Sequence, residues 1–116
     1  ACLQCTADHL STLTASLNEA MRFARDGGVD QEEVQRRLLL ATDELNICER
    51  IDLAPDATAA LGPKEREVAN WILPQLRNLR HSLKEVGSTE DLEQLAAAAL
   101  EVRQTYTARY KQAKGV

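Results

Sequence analysis

The first nine residues hold the segment Cys2-Leu-Gln-Cys5-Thr-Ala-Asp-His9, which sets two thiols and an imidazole close together in sequence. A CxxC pair lets two sulfurs grip one ion from a single turn of chain. A histidine four residues after the second cysteine shares its face if that turn is helical. One further cysteine, Cys48, brings the total to 3. An odd count argues against a framework made only of disulfides and leaves metal ligation, redox chemistry or buried thiols. Taken together, Cys2, Cys5, His9 and Cys48 form the Cys3His set that holds zinc, or alternatively iron, tetrahedrally.

The same residues support a second chemistry. A CxxC at a helix N-terminus has its thiolate stabilised by the helix dipole, so a thiol redox protein or switch is the competing reading. In the oxidoreductases that use this motif it follows a strand, and no strand pattern precedes it here. Thr6 stands where covalent haem attachment would need histidine. No Glu-x-x-His pair is present for a di-iron centre. Each residue also has a plainer role: Cys48 continues an apolar stripe as a small hydrophobe, and His9 flanks the stripe of its helix as a partly exposed hydrogen-bonding group.

Four helices position these groups. From Thr6 to Arg25, Leu10, Leu13, Leu17, Met21 and Ala24 recur at three- and four-residue steps, and Gly27-Gly28 ends the helix. Asp30 with Glu33 reads as a reciprocal cap for the second helix, with Val29 packing on Val34. Val34, Leu38, Ala41, Leu45 and Cys48 form its stripe, which Leu40, Ile47 and Ile51 broaden toward a second neighbour. The helix must stop before Pro55. Residues 55 to 62 hold at most a short turn, and Pro63 opens the third helix, where its missing N–H costs nothing. That helix carries Val68, Ile72, Leu76, Leu79, Leu83 and Val86, with Trp71 beside them and a kink expected near Pro74. Ser88 with Asp91 caps the fourth, whose stripe is Leu92, Leu95, Ala99, Val102, Tyr106 and Tyr110.

Short connections between helices imply an all-α, antiparallel up-down-up-down four-helix bundle formed by residues 1–116 as a single domain. Two antiparallel helices turning around residues 26 to 30 bring together positions that sum to about 56, which sets Cys48 beside residues 7 to 9. A slip of one turn puts Glu44 or Asp52 there instead. Tyr106 and Tyr110 fall at the same end, as donors to a site or as core-edge residues with wet tips. Asp43, Glu44 and Glu49 read as ordinary surface acids, and Arg77, Arg80 and Lys84 with His81 as a solvated basic face.

Composition bounds the partners. Lys and Arg number 14 against 18 Asp and Glu, a formal charge of -4 that repels nucleic acid. No apolar run is long enough to span a membrane, and the N-terminus lacks a secretory layout, so the cytoplasm is the expected location. Phosphate-binding loops, nucleophile elbows and paired catalytic acids are missing, which favours binding over catalysis. The expected protein is a metal-stapled accessory or regulatory module with a protein partner or a second copy of itself. A redox switch and a purely structural, self-associating bundle are the alternatives.

Overall fold

The computed structural model describes residues 2–115, and no strand occurs among them. Helix α1 spans Leu3–Gly27, one turn earlier than the apolar stripe alone implies. Cys2 is the reason: its sulfur accepts the Cys5 N–H at 3.0 Å and caps the helix, so the CxxC occupies the cap and first turn. At the other end Gly28 adopts φ 88°, a conformation that glycine reaches without a Cβ clash, and its N–H bonds to the Ala24 carbonyl at 2.7 Å.

Helix α2 spans Glu32–Ile47. The expected Asp30–Glu33 cap does not form. Gln31 is the cap residue, and its side chain instead donates to the carbonyls of Phe23 (2.8 Å) and Gly28 (3.0 Å), tying the turn to the end of α1. Val29 and Val34 are both buried in the core. After Ile47 the helix widens into a π-helical turn, Cys48–Asp52, closed by the Leu53 N–H on the Cys48 carbonyl at 3.0 Å.

A single-turn helix, α3 (Pro55–Thr58), follows, so there are five α-helices among the described residues where four were expected. Helix α4 spans Pro63–Lys84, begins on its proline and runs through Pro74 without a break. Helix α5 spans Thr89–Ala113 behind the Ser88 cap: Ser88 Oγ accepts the Asp91 N–H at 3.1 Å, and Asp91 Oδ2 accepts the Gly87 N–H at 3.0 Å.

The body measures 47 × 25 × 18 Å. A helix of 25 residues is about 37 Å long, so α1 and α5 each run most of its length. Helix α1 packs against both α2 and α5, and α4 closes on α5 and, more lightly, on α2. Bonds across these pairs fix their register. Glu19 meets Arg37 at 2.8 Å, Arg25 meets Glu93 at 3.4 Å, and Tyr106 meets Leu3 at 2.6 Å. Leu10, Leu13, Leu17, Leu45, Ile72, Leu76 and Leu92 are fully buried between the helices, each stabilising by roughly 1.5–3 kcal/mol.

Three expected stripe positions differ. In α1 Ala20 is fully buried, while Met21 is only partly buried against the core. Leu40 in α2 is 49% exposed and Ile51 in the π-helical turn 67%, so no described element covers these positions of the broadened face; Leu39 is 63% exposed.

Candidate metal centre

Helix α1 and the π-helical turn meet near the start of α1. There the Cys2 N–H reaches the Asp52 carbonyl at 3.3 Å, and the Tyr106 hydroxyl donates to the Leu3 carbonyl at 2.6 Å. Nearly two turns further along α1, His9 Nδ1 lies 2.6 Å from Asp52 Oδ2. The His9 side chain is 30% exposed and that of Asp52 is 5% exposed. Cys48 completes the cluster: the donor atoms of His9, Cys48 and Asp52 all lie within 4.8 Å of one another.

The four residues singled out from the sequence are therefore divided. His9 and Cys48 come together as the helical rise implied. Cys2 and Cys5 are joined to each other in a disulfide, so they are not free thiolates in this structure. Of the expected Cys2, Cys5, His9 and Cys48, His9 and Cys48 fall in a group with Asp52 that could hold a metal ion, and Cys2 and Cys5 lie outside that group. The sequence reading passed over Asp52, naming it only as the outcome of a one-turn slip. Its signal was its spacing: it follows Cys48 by four residues, as His9 follows Cys5, and so falls on the same face of one turn.

Electrostatics at the cluster lean toward a cation. Burial pushes the Cys48 thiol up to about 12 from its ordinary 9.0, with the negative charges of Asp52 and then Glu44 adding to the effect. Glu44 Oε2 is buried and has no hydrogen-bond partner. The Asp52 carboxylate and the Cys48 thiol thus face one imidazole, with the buried Glu44 carboxylate acting on Cys48 from nearby, an excess of acceptors that a positive ion relieves. The Tyr106 phenol is likewise pushed up, first by burial, and Cys48 and Asp52 are among the charges that act on it.

The donor set fits a transition metal. Imidazole, thiolate and carboxylate all bind zinc, and a three-ligand site leaves a fourth position open. At 2.6 Å the His9 ring nitrogen and the Asp52 oxygen are hydrogen-bond partners. Two donors on one tetrahedral ion sit about 3.3 Å apart, so both bind it only if Asp52 draws back from the His9 nitrogen. If His9 offers Nε2 instead, Asp52 stays on Nδ1 as the carboxylate that orients a metal-bound imidazole, and His9 and Cys48 alone reach the ion.

Other groups weighed from the sequence fall elsewhere. Glu49 is held by Arg77 (2.8 Å) and by Arg80, which ties up much of the basic face within the chain. Asp43 is exposed. Tyr106 is wholly buried and carries no wet tip, whereas Tyr110 stacks on it at 6.0 Å and accepts a hydrogen bond from Lys114 at 3.3 Å. No helix among the described residues is long and apolar enough to cross a membrane. Comparison with known proteins finds no family model, no curated relative and no solved structure that matches this chain.

Proposed function

We propose that the chain binds one divalent transition-metal ion, zinc by preference and iron as the alternative, through His9, Cys48 and Asp52. It works as a small accessory or regulatory module that acts by binding. The observation that carries this reading is the convergence of three ligand-type side chains from α1 and the π-helical turn within 4.8 Å. Bound there, the ion would take the Cys48 sulfur as thiolate and staple the start of α1 to the end of α2.

The frame we propose for the site is an antiparallel up-down-up-down bundle of α1, α2, α4 and α5, forming one domain. The pairings of Leu3 with Tyr106 and of Arg25 with Glu93 support it, since residue numbers rise along α1 as they fall along α5. The uncovered Leu39, Leu40 and Ile51 support a partner surface on α2 and the π-helical turn, for which a second copy is the occupant we propose.

The test is elemental analysis of protein purified without chelator. About one equivalent of zinc or iron per chain is expected, falling sharply in His9→Ala and Cys48→Ser. Metal-free wild-type protein that takes up no added zinc at micromolar concentration would overturn the reading.

A second reading draws on the Cys2–Cys5 disulfide, which supports thiol redox chemistry at the start of α1. The disulfide also weighs against the expected cytoplasmic location, because a reducing cytosol keeps such pairs as thiols. Trapping free thiols in freshly lysed cells decides the resting state of the pair.

A further inference from the structure

Two features lie beside the proposed centre: the open fourth position of a three-ligand site, and a disulfide one helical turn away. Cys5 precedes His9 by four residues in α1, so their side chains leave the same face of the helix about 6 Å apart at Cβ. Cys2 is tied to the other side of the centre, since its N–H bonds to the carbonyl of Asp52. The disulfide therefore joins, within one turn, a residue that neighbours His9 to a residue held against the ligand-bearing turn.

We propose that Cys5 is a redox-controlled fourth ligand of this centre: locked away from the ion while bonded to Cys2, and bound to it as a thiolate once the disulfide is reduced. The inference rests on the metal reading above. Oxidised protein offers imidazole, thiolate and carboxylate, with one position left to water. Reduced protein offers a second thiolate and closes the site, the form in which tetrahedral zinc is structural.

The step balances with a dithiol as reductant. Its first thiolate attacks one sulfur of the Cys2–Cys5 bond, and its second resolves the mixed disulfide. Two electrons and two protons pass to Cys2 and Cys5, and the reductant leaves as a disulfide. On ligation Cys5 releases its proton to solvent, and Cys2 stays a thiol.

Cysteine substitution separates ligation from mere loss of the cross-link, because Cys2→Ser and Cys5→Ser both abolish the disulfide and only the first keeps the Cys5 thiol. Zinc affinity is measured by competition with a chromophoric chelator on protein reduced with a phosphine and desalted without oxygen, and again on oxidised wild type. Circular dichroism checks that each variant is folded. Reduced wild type and Cys2→Ser should bind zinc tighter than oxidised wild type by at least about tenfold, the scale on which even an outer partner alters a metal site. Cys5→Ser should bind like oxidised wild type in either condition. With cobalt(II) as the probe, the sulfur-to-metal charge-transfer band should be about twice as intense in the reduced protein, because two thiolates replace one.

Equal affinities across the four samples would overturn the redox control and leave the three-ligand centre standing. Tight binding by Cys5→Ser but not by Cys2→Ser would overturn the assignment to Cys5. No zinc binding in any sample would overturn the centre and the control together.

Discussion

His9 and Asp52 lie 43 positions apart in sequence, yet His9 Nδ1 and Asp52 Oδ2 are 2.6 Å apart where α1 meets the π-helical turn. Asp52 is almost fully buried, so its carboxylate depends on this partner far more than a surface acid would. Replacing Asp52 with Asn keeps the shape and removes the charge. If the pair orients or completes a metal centre, zinc affinity in Asp52→Asn should fall by about 10- to 100-fold, measured by chelator competition. A purely structural pair would change the unfolding midpoint and leave metal uptake as it was.

The buried hydroxyl of Tyr106 ties α5 to the first turn of α1 through the Leu3 carbonyl. Tyr106→Phe retains the ring and deletes that bond. The expected loss is about 1 kcal/mol in a urea titration, with the slope of the transition unchanged, because the Leu3 carbonyl keeps its place in the helix. A loss of zero would mean that the hydroxyl is held no better than it is by water.

Cys48 contributes to the alkaline decline expected of the metal-free protein. Its folded value of about 12 stands above the ordinary 9.0, so the folded state holds the thiol proton more tightly than the unfolded chain does. Below pH 9 both states are protonated and the thiol favours neither. Between pH 9 and 12 only the unfolded chain ionises, and stability falls by up to about 1.4 kcal/mol per pH unit. Cys48→Ala should lack this component of the decline, as read from chemical denaturation across that window.

Glu49 does the opposite at acid pH. Hydrogen bonds from Arg80 and then Arg77 hold its carboxyl below the ordinary 4.5. A depressed carboxyl adds stability that is fully present above the unfolded value and is lost as the pH falls through the lower folded one. Glu49→Gln should therefore cost about 1 kcal/mol or less at pH 7 and lose less stability on acidification below pH 4.5. A wild-type acid transition reproduced unchanged by the variant would remove Glu49 from the account.

The uncovered apolar face on α2 predicts self-association. Light scattering at about 0.1 mM should give a dimer mass, and Leu40→Lys with Ile51→Lys should shift it to monomer while leaving the helical content intact. A monomer mass for wild type at that concentration would count against a second copy as the occupant.

Much of the frame was legible in the residues themselves. Gly27-Gly28, Pro63 and the Ser88–Asp91 pair mark helix ends by local chemistry, and each stands at such an end in the structure. The three- and four-residue spacing of Leu10, Leu13 and Leu17 sets one buried face, because a helix turns by a fixed angle per residue. The fixed rise of two helices meeting at one turn was enough to bring Cys48 to His9.

What the chain could not declare locally were the choices made among competing partners. Gln31 displaced the Asp30 cap because the carbonyls of Phe23 and Gly28 were within its reach once the turn had closed. Cys2 and Cys5 could have been ligands or a disulfide on spacing alone, and the structure joins them in the cap and first turn of α1. Asp52 meets His9 from a turn where the backbone widens, and no residue type marks such a turn in a sequence. Helical periodicity is a local property and survives reading one residue after another. Which side chain meets which across two helices depends on how the whole surface packs, and that is decided only when every element is in place.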